Sequence, residues 1–152
     1  MQRVIEQVAG ILHRNGVEFD TRADGNEYRI LRDSSATFVS FHRFGDATIV
    51  SLYSPVLQEV EEADRIGEIF QAMNDLNASS RFGRFVYYPE LRVIALEYDL
   101  VGDELQESEL MYAVDLISTV ANSQDEELKL RLGTGLRFHE AEARDDGDES
   151  VG

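Results

Sequence analysis

Apolar residues recur at helical spacing from the start of the chain. Val4, Ile5, Val8, Ile11 and Leu12 share one face and Asn15-Gly16 supplies a stop signal, which predicts a first helix from Gln2 to Asn15. From Val17 the period changes. Short runs rich in β-branched and aromatic residues, VEFDTR, EYRILRD, TFVSFHRF and ATIVSLYS, are separated by turn residues at Asp24-Gly25-Asn26, Ser34-Ser35 and Gly45-Asp46. They predict three or four antiparallel strands joined by tight turns, with Pro55 closing the meander. Helical periodicity then returns, with Ile66, Ile69, Phe70, Met73, Leu76 and Asn77 on one side and acidic residues near the start to complement the helix dipole. A second helix is expected from about Glu62 to Ala78.

Two further strand-like runs, RFGRFVYY and RVIALEYDL, flank a turn at Pro89-Glu90-Leu91 and predict a hairpin. Its pattern is apolar on both faces. Alternation places Phe85 and Tyr87 on one face and Phe82, Val86 and Tyr88 on the other, while Ile94, Leu96 and Tyr98 alternate with Val93 and Ala95. Helices of the same chain account for cover on one side; the other side calls for a subunit, a peptide or more of the chain. Phe85, Tyr87, Tyr88 and Tyr98 are accordingly the candidate partner-binding residues.

After Gly102, Leu110, Val114, Ile117 and Ala121 line a third helix from about Glu109 to Ala121, with Ser108 as its N-cap. Residues Gln124 to Leu132 either continue it or form a short fourth helix. Beyond residue 133 the sequence is acidic and lacks apolar periodicity, so residues 134–152 are expected to be a solvated, disordered tail on a single domain of residues 1–133. The fold class that follows is α+β: an antiparallel sheet with three helices in the order α-β(3–4)-α-β(2)-α.

Charge narrows the partners. The chain has 152 residues and a net charge of −16, and residues 100–128 hold eight acidic side chains and no basic one. Such a field repels phosphate backbones, so nucleic acid and anionic membranes are not expected partners; the ordinary reading of the charge is solubility, and the sharper one is steering of a basic partner. There is no cysteine, which removes disulfides, thiolate nucleophiles and thiolate metal sites together. The first helix carries Arg3, Glu6, Gln7 and His13 among its apolar residues, unlike a signal peptide, and a cytoplasmic protein is expected.

Candidate chemistry is sparse. His13, His42 and His139 fall on a helix, a strand and the tail without metal-ligand spacing. The DDGDE near the end lacks the alternating ligands of a calcium loop, and Gly133-Thr134-Gly135 lacks the further glycine of a dinucleotide fingerprint. No G-x-S-x-G elbow surrounds any serine. No catalytic residue, metal site or cofactor is expected.

The element order, together with MNDLNASSRFGRFVYYPELRVIALEYDL, in which an Asn-rich helix end leads through Gly-Arg-Phe into the hairpin, resembles the YbjN family, whose domains share the fold of type III secretion chaperones. The likeness covers about Met1 to Leu132; the acidic tail departs from it. The resemblance implies a homodimeric, non-enzymatic module that binds a peptide or protein, chaperone-like or adaptor. The alternative is a regulatory or structural subunit that meets one folded partner and holds no client peptide.

Overall fold

The computed structural model describes residues 1–151, with side chains through Asp145. The order of elements is α1 (Gln2–Arg14), β1 (Asp20–Arg22), β2 (Glu27–Arg32), β3 (Ser35–Phe44), β4 (Ala47–Leu57), α2 (Ile66–Ser79), β5 (Arg84–Tyr88), β6 (Val93–Val101), α3 (Glu107–Leu132) and α4 (Phe138–Val151). The six strands form one antiparallel sheet in the order β1-β2-β3-β4-β6-β5. One face of that sheet carries the core. Val4, Val8 and Ile11 of α1, Ile69 and Ala72 of α2, and Leu110, Val114 and Ile117 of α3 cluster there with Ile30, Val39, Leu52, Ile94 and Leu96 of the strands.

The strand runs pair as their alternation predicts, but the meander does not stop at Pro55. β4 runs through it to Leu57, with a register shift between Pro55 and Leu57. Proline is tolerated because its missing N–H faces β3 at a point where the β3–β4 register has already ended at Phe38↔Tyr53. Of the two readings of Gln124 to Leu132, continuation holds: α3 runs unbroken over 26 residues. Its polar positions Asn122 and Asp125 are used rather than solvated. Ser34, in the β2–β3 turn, places its hydroxyl 2.8 Å from an oxygen of each side chain, with one proton between the two acceptors; its N–H donates to the Asn122 oxygen at 3.0 Å, and the Asn122 amide donates to the Arg32 carbonyl. The turn is thereby fastened to the helix where apolar periodicity lapses.

The largest departure lies past residue 133. The chain does not leave the domain as a free tail there. Gln58 and Leu136 exchange backbone hydrogen bonds at 2.8 and 2.7 Å, Phe138 is buried with its ring edge-on to Phe38, and α4 rests on β3 and β4. Ion pairs Lys129–Glu140 at 2.8 Å and Arg144–Glu59 at 2.5 Å fix the helix at its flanks. A helix anchored by one aromatic and by charges has no apolar stripe, and periodicity cannot reveal it. The expectation of disorder for 146–152 falls outside the residues whose side chains are described.

Candidate partner-binding surface

The sheet face opposite the core is open except at the end where α4 lies. Strand register sets out its side chains in cross-strand rows. One row runs Arg29, Phe38, Tyr53, Glu97 and Arg84 across β2, β3, β4, β6 and β5, and a neighbouring row holds Glu27, Ser40, Ser51 and Asp99. Phe38 and Tyr53 have ring centroids 6.5 Å apart, and the Arg22 guanidinium lies 5.7 Å from the Phe38 centroid. Between these rows and Tyr88 the surface dips into a concavity of about 470 Å³.

The four sequence-derived candidates do not share this surface. Phe85 and Tyr87 are 4% and 6% exposed and point into the core. The Tyr87 hydroxyl donates to Glu62 at 2.7 Å, and burial together with that bond pushes its pKa up to about 12. Tyr98 also lies on the helix side, stacked on Phe82. Only Tyr88 reaches the open face. Its hydroxyl donates to Glu97, and burial plus that bond hold the phenol at a pKa of about 12, so it stays a neutral donor. Arg84 closes the cluster on Glu97 at 3.1 Å. Phe82 differs from expectation as well: Gly83, at φ +77°, breaks the alternation before β5 begins, and Phe82 turns to Tyr98 and Tyr112 instead of joining Tyr88.

Sequence reasoning missed Phe38 and Tyr53, although the alternation of Phe38, Ser40 and His42 with Val39 and Phe41 in β3 carries the signal. It also missed Asn77. The Asn77 side-chain amide donates to the Phe85 carbonyl at 3.0 Å and accepts from the Phe85 N–H at 2.7 Å, filling both outward backbone groups of Phe85 on the edge strand β5 as a paired strand would. Asn77→Ala is expected to lower stability by about 1–3 kcal/mol, since both partners are left unsatisfied. Urea denaturation reads this out, and a change below a few tenths of a kcal/mol would contradict the capping role.

His13, His42 and His139 stand on α1, β3 and α4. Among the described residues no group of three or more His, Asp or Glu is placed to hold a metal, and no helix is long and apolar enough to cross a membrane.

Comparison with known proteins agrees with this geometry. ExsC in the crystal structure of the ExsC–ExsE complex superposes with a TM-score of 0.59 at 13% identity, over 82% of this chain and 92% of that one. YbjN from E. coli gives a TM-score of 0.59 at 11% identity over the same shares. At these identities the likeness is one of fold. No curated protein matches the sequence. The family model described as "T3SS (YopN, CesT) and YbjN peptide-binding chaperone 1" matches residues 2–140. The match spans nearly the whole of the domain, and the chain belongs to the T3SS and YbjN peptide-binding chaperone family.

Proposed function

We propose that the protein is a non-enzymatic, chaperone-like or adaptor homodimer that holds a peptide or protein partner on its uncovered sheet face. The observation that carries this reading is the set of aromatic side chains on that face: Phe38, Tyr53 and Tyr88 remain partly exposed while all three core helices pack on the other side. Family membership and the complex formed by ExsC with ExsE support protein binding as the activity. On the open face Glu97 is tied to Arg84 and Tyr88.

Self-association has its own surface. Ile66 and Phe70, one turn apart on α2, are exposed beside β5, and Phe70 meets the ring of Tyr87 edge-on. Such a stripe on a helix flank can meet its own copy about a two-fold axis. Sedimentation equilibrium at micromolar concentration, in moderate salt to screen the −16 charge, is expected to give twice the chain mass of 17.2 kDa. Phe70→Asp is expected to give a folded monomer. A wild-type monomer up to high micromolar concentration would refute the dimer.

The polar share of the open face, with Glu97, Asp99 and Arg84 among its aromatics, favours a second reading: one folded partner and no client peptide. Recovery from the native cell extract separates the two. A single recurrent folded partner supports the second; several unrelated chains bound through extended segments support the first.

A further inference from the structure

The concavity on the open face owes its shape to strand register. In the row Glu27, Ser40, Ser51 and Asp99 the two central strands contribute only serines. The neighbouring row raises Phe38 and Tyr53 beside them, and small side chains next to rings leave the hollow of about 470 Å³. Strands lie about 4.8 Å apart, so Glu27 and Asp99 close the row at ends about 14 Å from each other. The two ends are built alike. Phe38 on β3 has Glu27 on the adjoining strand β2, one row away. Tyr53 on β4 has Asp99 on the adjoining strand β6, in that same row.

One of these two ring-and-acid positions is filled by the chain itself. Arg22 pairs with Glu27 at 3.9 Å and sets its guanidinium 5.7 Å from the centre of the Phe38 ring. The other has no such occupant: among the described residues no guanidinium lies over Tyr53. Its charge is also incompletely answered. Arg84 serves two carboxylates, at 3.1 Å from Glu97 and 3.6 Å from Asp99, and the Tyr88 hydroxyl donates to Glu97 as well. Asp99 is therefore the less compensated of the two, and its side chain is 41% exposed. The phenols add no charge, since burial and the Glu97 carboxylate raise the pKa of Tyr53 and that of Tyr88 stands at about 12. Three carboxylates, Glu27, Glu97 and Asp99, face two guanidinium groups, Arg22 and Arg84, and one negative charge is left over at the Tyr53 end.

We propose that the position formed by Tyr53 and Asp99 is an anchoring pocket for one arginine side chain of the partner protein. The guanidinium lies against the Tyr53 ring, pairs with Asp99 and neutralises the surplus charge, while its aliphatic stem crosses the floor at Ser51. Arg22 on Phe38 and Glu27 is the same arrangement made within the chain. Arginine fits better than lysine because its planar group both stacks on a ring and forks onto a carboxylate. The inference rests on the reading of this face as the partner-binding surface and adds the side chain by which the partner is held. It applies equally to a client segment and to a folded partner.

The test titrates the isotopically labelled full chain with the synthetic peptide acetyl-Gly-Arg-Gly-amide and with its lysine and citrulline counterparts. The arginine peptide should shift the amide resonances of Ser51, Tyr53 and Asp99 and saturate in the millimolar range. The lysine peptide should bind about threefold more weakly, and the citrulline peptide, similar in shape but uncharged, about tenfold more weakly. Asp99→Asn keeps the shape of an exposed side chain and should weaken the arginine peptide about tenfold; Tyr53→Leu should weaken it about threefold. Glu109→Gln, which removes an exposed carboxylate elsewhere, should change nothing. Equal binding of the arginine and citrulline peptides, undiminished binding by Asp99→Asn, shifts centred on residues 103–109, or no shift at tens of millimolar peptide overturns the pocket. A lower sedimentation mass for Asp99→Asn than for wild type would mean that a second copy supplies the arginine, and overturns it too. Recovery from the native cell extract separates this failure from that of the underlying reading: a partner recovered equally by wild type and Asp99→Asn overturns the anchor and leaves the protein-binding reading in force.

Discussion

Tyr87→Asp is expected to cost the domain a large share of its stability, and Tyr88→Asp little. The two residues are adjacent, and the sheet separates them. Tyr87 is 6% exposed within the core, and its replacement leaves a cavity, places a carboxylate among apolar neighbours and removes the donor to Glu62. The expected loss is about 3–5 kcal/mol, a large share of the stability of an ordinary domain. Tyr88 loses only a hydroxyl bond to Glu97 on the half-exposed face. Its cost is about 1 kcal/mol, somewhat raised by the new charge beside Glu97. Urea denaturation of both variants measures the difference, and equal losses would contradict the assignment of faces.

Truncation after Gly133 is the second large effect. It removes the paired hydrogen bonds between Gln58 and Leu136, the buried Phe138 ring and the Lys129–Glu140 pair. Burial of a phenylalanine and two backbone bonds outweigh the cost of ordering the segment by about 2–3 kcal/mol. The melting temperature should fall by roughly 5–10 °C. Truncation after Ala143 loses the exposed Arg144–Glu59 pair and should shift melting by no more than about two degrees. Equal melting of full-length chain and Gly133 truncation would return the segment to the status of a solvated tail.

Acid should erase part of that difference. Burial pushes the Glu140 carboxyl up, but hydrogen bonds from Lys129 and from the backbone and guanidinium of Arg137 outweigh it and hold the pKa near about 2, against an ordinary 4.5. A depressed folded-state pKa contributes stability above the ordinary value, and that contribution fades as pH falls from about 4.5 toward about 2. The gap in stability between the full-length and truncated chains should narrow across that window.

The sequence speaks clearly where one physical signal dominates. The hairpin is legible because RFVYY and VIALEY are long β-forming runs with a proline turn between them, and α1 because its five buried apolar residues fall on one face. Legibility fails where a polar residue has found a partner from a distant part of the chain. Asn122 and Asp125 look like a helix break but hold Ser34, Asn77 looks like a helix terminator but completes β5, and Phe138 is one ring in a run of charges. For the binding surface, alternation correctly put Phe85 with Tyr87, yet it does not say which face the helices take. That choice depends on where α1, α2 and α3 dock, and it buries both residues and leaves Tyr88 on the open side.

The central claim is that the uncovered sheet face is where a partner sits, and site-specific crosslinking in the protein's own cells tests it most directly. A photoreactive phenylalanine analogue in place of Tyr53 is compared with one at Leu130, an exposed position on α3, a helix of the core side. The account predicts a discrete protein adduct from Tyr53, lost in a Phe38→Asp background, and none from Leu130. Adducts of equal yield from both positions, or from Leu130 alone, would contradict it.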